Sequence, residues 1–243
     1  MEKRLDILVC EHLSVSREYA KEVILSGKCM VNGKVVIKSG VKFSSDCRLE
    51  IFAEKLPYVS RGGLKLAHAM KEFDIDIIDK VCIDIGASTG GFTDCMLQHG
   101  AKSVIALDNG HGQLAEKLLH DPRVISMENT NIMTVNTDEL AFTPEFASVD
   151  LSFISLEKVI SKVASLLDSQ SLIVFLVKPQ FECGANALSK KGVVNSLSAH
   201  RFAIDKIVRA MLNSRLVICD MDFSPIMGQN GNTEYLFLAE KRG

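Results

Sequence analysis

Nine consecutive residues, Asp84-Ile85-Gly86-Ala87-Ser88-Thr89-Gly90-Gly91-Phe92, follow an apolar run and lead into a helix-forming segment. Glycines packed this closely let a backbone turn sharply and approach a ligand without interference from Cβ atoms. A second acid, Asp108, stands 24 residues after Asp84 at the end of the next apolar run. From there a nucleotide-binding α/β fold reaches ribose hydroxyls. The loop departs from G-x-G-x-x-G, because Ser88 occupies its second glycine position, and no G-x-x-x-x-G-K-[ST] occurs in the chain. An acid at the loop's start suits a cationic ligand with an amino-acid end, such as S-adenosylmethionine, better than a pyrophosphate. The plainer alternative is a tight turn that binds nothing.

Four further ionisable residues are scattered: Lys65 after R-G-G, Asp150 in V-D-L-S-F-I-S-L, Lys178 in L-V-K-P-Q-F-E, and Glu234 in G-N-T-E-Y. Asp150 and Lys178 end apolar runs, where open α/β sheets place their ligands and where an unpaired buried charge would be costly. Taken singly, Lys178 reads equally well as a solvated strand end, Lys65 as the exposed face of a helix, and Glu234 as an ordinary strand start. Taken together they suit one chemistry. A ribose hydroxyl is a poor nucleophile that must lose its proton as it attacks an electrophilic methyl group. A lysine serves as base where desolvation and a neighbouring cation weaken its hold on its own proton. Asp150 and Glu234 would hold the two lysines and balance their charge.

The elements that must position these residues can be read from periodicity. Strands are expected at 81–85, 104–107, 124–127, 147–151, 172–177, 216–222 and 235–239, and helices at 64–73, 92–99, 113–119, 156–167 and 199–212. Such alternation predicts an α/β fold, a doubly wound, mostly parallel sheet of seven strands. Residues 1–54 read as a separate small α+β module. It begins with a helix over Arg4–His12 and a second capped by Ser16, continues through a tight turn at Asn32-Gly33, and closes with a strand over Arg48–Phe52. Residues 55–60, including Lys55-Leu56-Pro57-Tyr58, form the expected linker, and residues 61–243 the large domain.

Composition narrows the class further. With 47% hydrophobic and 24% charged residues the chain is an ordinary globular one. No apolar run approaches the roughly 18–20 residues that span a bilayer, and Met1–Leu13 has no signal-peptide core. Seven scattered cysteines without C-x-x-C argue against a disulfide framework and a metal centre, and point to the reducing cytoplasm. The net charge of −2 hides a mildly basic head on an acidic body, compatible with a nucleic-acid partner.

Eleven stretches, in order along the chain, carry a family resemblance. They are R-L-D-I-L (4–8), S-R-E-Y-A (16–20), V-N-G-K-V (31–35), P-Y-V-S-R-G-G-L-K-L (57–66), D-I-G-A-S-T-G-G-F-T-D (84–94), G-Q-L-A (112–115), D-P-R-V (121–124), D-L-S-F-I-S-L (150–156), L-V-K-P-Q-F-E (176–182), K-K-G-V-V (190–194) and G-N-T-E-Y (231–235). The chain resembles the TlyA-type proteins, often labelled "hemolysin A", which join an S4-like RNA-binding domain to an FtsJ-like, Rossmann-like ribose methyltransferase. The resemblance implies a catalytic tetrad at Lys65, Asp150, Lys178 and Glu234, with S-adenosylmethionine around Asp84–Phe92 and Asp108. It also implies a cytidine 2′-hydroxyl of ribosomal RNA in a ribosomal subunit as substrate, and phosphate contacts from Arg4, Arg17, Lys21, Lys28 and Arg61. His111, Glu116, Asn129 and Asn195 depart from the family pattern, which more usually has aromatic residues at the first two positions and arginine at the others. Two other readings stand beside the enzyme. One is a non-catalytic RNA-binding or ribosome-assembly factor. The other is a membrane-active hemolysin, which would need a spanning or strongly amphipathic segment that the sequence lacks.

Overall fold

The computed structural model describes residues 2–13, 15, 17–53 and 56–242, and it divides into two compact units, 1–61 and 62–243. The expected cap at Ser16 and the linker residue Lys55 lie outside the described residues.

In the first unit, strand β1 (Glu2–Arg4) leads into helices α1 (Leu5–Leu13) and α2 (Arg17–Leu25). Strands β2 (Cys29–Val31), β3 (Lys34–Val35), β4 (Lys42–Ser44) and β5 (Leu49–Ile51) follow. The order β3-β2-β5 makes a three-stranded antiparallel sheet, and β1 pairs with β4. Asn32 and Gly33 take φ of 51° and 76° between the paired residues Val31 and Lys34, the positive values a two-residue hairpin turn requires. Leu5, Val9, Ala20, Val23, Ile24, Cys29 and Val31 form the buried core.

The second unit opens with α3 (Gly62–Glu72), then β6 (Val81–Ile85), α4 (Gly91–Gln98), β7 (Ser103–Leu107), α5 (Glu116–Leu119), β8 (Val124–Met127) and β9 (Phe146–Val149). It continues with α6 (Ile160–Ser165), β10 (Leu172–Val177), α7 (Pro179–Glu182), α8 (Leu197–Asn213), β11 (Leu216–Phe223) and β12 (Tyr235–Lys241). The sheet order is β11-β12-β10-β9-β6-β7-β8, and β12 alone runs against its neighbours. This is the seven-stranded, Rossmann-like α/β sheet that the alternating pattern predicts. Its central strands are predominantly apolar because both faces are covered, with Asp84 in β6 and Ser148 in β9 as buried polar exceptions. Phe146, Phe175 and Phe237 are almost wholly buried, each stabilising the fold by about 1.5–3 kcal/mol through surface removed from water.

Two helices are shorter than their periodicity predicts. The helix expected from Gln113 starts only at Glu116, and the amides of Gly112, Gln113 and Leu114 before it donate to the Glu128 carboxylate. That side chain takes the donors a first helical turn would leave open. The helix expected over 156–167 is split into a short 3-10 turn (Leu156–Lys158) and α6. Glu182 accepts the Leu156 amide there at 2.8 Å.

Candidate active site

Chain order reverses at β6, which has β7 on one side and β9 on the other, so a crevice opens beyond their C-terminal ends. Gly86, the first residue past β6, takes φ of +89°, and a Cβ there would lie 2.3 Å from the Asp150 carbonyl oxygen. Parallel pairing of Ile85 with Val149 brings these two backbones together. Ser88 also adopts a left-handed backbone (φ 47°), and its amide donates to Asp108 Oδ2 at 2.8 Å, while Gly110 N donates to Asp108 Oδ1 at 2.6 Å. Gly86, Ser88, Asp108, Gly110, Gln113, Thr130 and residues 150–154 line a cleft of about 570 Å³.

Not every residue of the glycine-rich stretch reaches this cleft. Gly86, Ser88 and Asp108 line it, whereas Ala87, Gly90, Gly91 and Phe92 are buried beside it and Thr89 is half-buried. Asp84 is 1% exposed, and its carboxylate accepts from Thr93 N (2.8 Å), Thr93 Oγ1 (2.7 Å) and Ser148 Oγ (2.9 Å). It therefore braces the loop from below, tying β6 to α4 and β9, rather than meeting a ligand. Burial pushes its carboxyl up to about 6, against the lowering pull of the Thr93 and Ser148 hydrogen bonds. The folded chain consequently binds more protons than the unfolded one between about pH 4 and 6, and stability falls as pH rises through that window. Relative to Asp84→Asn, the native protein should lose up to about 3 kcal/mol across it. Urea unfolding of both proteins at several pH values checks this, and equal slopes would rule out the buried charge as the cause.

The four scattered ionisable residues form two ion pairs. Lys178, immediately after β10, places Nζ 2.5 Å from Asp150 Oδ1, an ionic contact outside directed hydrogen-bond geometry, and donates to Ser152 Oγ at 3.0 Å. Lys65, on α3, donates to Glu234 Oε2 at 2.5 Å, and both side chains are buried. Val177 and Tyr235 are register partners in the antiparallel pair β10–β12, so Lys178 and Glu234 each stand one residue beyond them at the same edge of the sheet. Removing one member of a buried pair typically costs about 3–5 kcal/mol, since its partner is left uncompensated. Gly228 makes room for Glu234, because a Cβ there would lie 1.9 Å from Oε1.

Several neighbours escaped the sequence reading. Phe153 has a left-handed backbone (φ 65°), is 88% exposed, lines the cleft and lies 5.4 Å from the Phe181 ring. Only its place within D-L-S-F could have signalled it. Glu182 accepts from Ser155 Oγ (2.5 Å) and Lys206 Nζ (3.1 Å), bracing the far end of the loop that carries Asp150. Asn232 accepts from Val194 N and donates to Gly192 O, both at 3.0 Å, joining the K-K-G-V-V and G-N-T-E-Y stretches.

The basic residues expected to meet phosphates divide into two groups. Arg4 and Arg17 both pair with the buried carboxylate of Asp6, which the guanidiniums hold below its ordinary range, and Arg61 pairs with Glu22 at 2.8 Å. Lys28 is exposed and Lys21 half-buried, and neither amine has an acidic partner among the described residues. Two of the departing residues touch: Asn129 Nδ2 lies 3.2 Å from His111 Nδ1. Glu116 and Asn195 are exposed.

The model of the FtsJ-like methyltransferase family matches residues 58–241. YqxC of Bacillus subtilis, which carries an rRNA methyltransferase name, is 43% identical over 236 residues, covering 96% of this chain and 84% of that protein. The 16S/23S rRNA (cytidine-2′-O)-methyltransferase TlyA of Mycobacterium tuberculosis is 35% identical over 229 residues, covering 94% of this chain and 85% of that one. A solved structure from Streptococcus thermophilus under a hemolysin name superimposes with a TM-score of 0.82 at 41% identity, covering 99% and 89% of the two chains.

Proposed function

Because the chain belongs to the FtsJ-like methyltransferase family, we propose that it transfers a methyl group from S-adenosylmethionine to a ribose 2′-hydroxyl, that of a cytidine in ribosomal RNA. One observation carries this reading: two lysine–carboxylate pairs stand at the strand edge that also carries the glycine-lined cleft. The name of the M. tuberculosis relative supports the choice of RNA and nucleoside. Work on ribosomal RNA would be done in the cytoplasm.

The cleft fits the cofactor. Gly86 leaves its floor bare, and the Asp108 oxygens, each accepting one amide, keep acceptor capacity for ribose hydroxyls. Bound there, S-adenosylmethionine supplies an electrophilic methyl group on a sulfonium. Lys178 acts as the neutral amine, its own proton released to solvent beforehand. It takes the proton from the attacking hydroxyl as the methyl passes from the sulfonium, and Asp150, in contact with the amine, orients it and balances the ammonium that forms. Lys65, fixed by Glu234, stands as the second cation at the acceptor. The exposed ring of Phe153 offers a stacking face for a base, which stabilises a bound nucleotide by about 1–3 kcal/mol. In the first unit, Lys21 and Lys28 are open to phosphate, while Arg4, Arg17 and Arg61 would share their internal acids with it.

A membrane-active role would leave this charged constellation unused, and among the described residues no helix is long and apolar enough to cross a membrane. Purified protein incubated with ribosomal subunits and methyl-labelled S-adenosylmethionine should place label in the RNA. Cofactor binding by calorimetry should accompany it. Intact RNA binding with neither heat nor label would replace the enzyme with a non-catalytic RNA-binding factor.

A further inference from the structure

Helix α3 carries a second polar contact one turn beyond Lys65. His68 Nε2 lies 2.8 Å from Asp222 Oδ2 on β11, and Asp222 Oδ1 accepts the Phe223 amide at 2.7 Å. Asp222 is register partner to Leu236 on β12, two residues past Glu234, the acid that holds Lys65. Residues three apart on a helix share a face, so α3 is fastened to the β11–β12 hairpin at two points. Lys65 meets the residue just before β12, and His68 meets the strand beside it.

We propose that His68 and Asp222 form a latch that fixes the axial and rotational setting of α3 and thereby places the Lys65 amine at the acceptor edge. They are positioning residues for the transfer, and the inference rests on the reading of Lys65 as part of the transfer machinery. The hydrogen bond and the Phe223 amide hold the Asp222 carboxyl below its ordinary range. An ionised carboxylate only accepts, so Nε2 is the donor whether or not the ring carries a second proton. Both side chains are partly open to water, 26% for His68 and 40% for Asp222, where such a pair adds little to stability. What the contact does supply is direction. Leu66, Ala69 and Met70 seat α3 in the core, but apolar packing is non-directional and Lys65 reaches Glu234 through a long flexible side chain, so the His68–Asp222 contact adds a directional tie on the face that carries Lys65. A displacement near 1 Å at a reacting group can cost about 100-fold in rate.

The test measures kcat, KM for RNA and thermal unfolding for the native chain, His68→Ala, His68→Gln, Lys65→Ala and the His68→Ala/Lys65→Ala double variant. His68→Ala should lower kcat about tenfold with KM for RNA and Tm nearly unchanged, and glutamine, whose amide can donate to Asp222 in place of Nε2, should recover most of the loss. In the Lys65→Ala background, His68→Ala should cost nothing further, because the residue it positions is gone. A kcat unchanged in His68→Ala, or the same factor lost with and without Lys65, would overturn the latch while leaving the methyl-transfer reading intact. A fully active Lys65→Ala would overturn the reading of Lys65 and the latch with it.

Discussion

Replacing Lys178 with alanine should lower the rate of methyl transfer about 1,000-fold, the range expected when a positioned proton acceptor is lost. The side chain stands at the end of β10 with only 11% of its surface exposed and its amine against Asp150. KM values should change little, since the loss falls on a step made only in the transition state. Lys178→Arg should fail nearly as badly: it keeps the positive charge and the contact to Asp150, but a guanidinium does not give up its proton. Single-turnover rates on ribosomal RNA distinguish the two possibilities for this amine. If arginine restores the native rate, Lys178 serves only as a charge and another group removes the proton.

Gly86→Ala should be comparably severe by a different route. The added methyl would meet the Asp150 carbonyl carbon at 2.9 Å as well as its oxygen, and both are backbone atoms that cannot swing aside. A positive φ adds strain of about 1 kcal/mol for any residue with a Cβ. The ends of β6 and β9 must part, which moves the cleft floor and Asp150 together. We expect a stability loss of about 3 kcal/mol and cofactor affinity lowered at least about 100-fold. Denaturant unfolding measures the first and calorimetry the second. Native cofactor affinity in a folded Gly86→Ala chain would mean that the ligand does not rest on this turn.

These expectations rest on features that differ in how far the sequence discloses them. The central strands were legible because they are predominantly apolar runs closed by a turn or a charge, and burial on both faces demands that pattern, while the edge strands β8 and β11 showed it more weakly. Asp150 and Lys178 were legible as charges at strand ends. Their partnership was not, since residues 28 apart meet only through the β9–β10 register. The glycine-rich stretch announced a turn but not its division of labour. Nothing in D-I-G-A-S-T-G-G-F says that Asp84 is satisfied by Thr93 and Ser148 below the loop while Ser88 faces the cleft. Nor does the stretch from Gln113 show that its amides turn to Glu128, fifteen residues away, ahead of a helix that starts only at Glu116. Basic residues in the first unit looked equally available until Asp6, wholly buried, drew in Arg4 and Arg17. For Asp150, Asp84 and Gln113 a partner distant in sequence decided the outcome.

If Lys178, held among the paired lysines and acids at one sheet edge, deprotonates a ribose hydroxyl for methylation, the modified atom and its dependence on that amine can both be read in the RNA. The measurement is mass analysis of nucleosides after digestion of ribosomal RNA treated with the protein and labelled S-adenosylmethionine. Label should appear on the 2′-oxygen of cytidine and be lost in the Lys178→Ala protein. Label on a base carbon or nitrogen, or ribose label undiminished without Lys178, would contradict it.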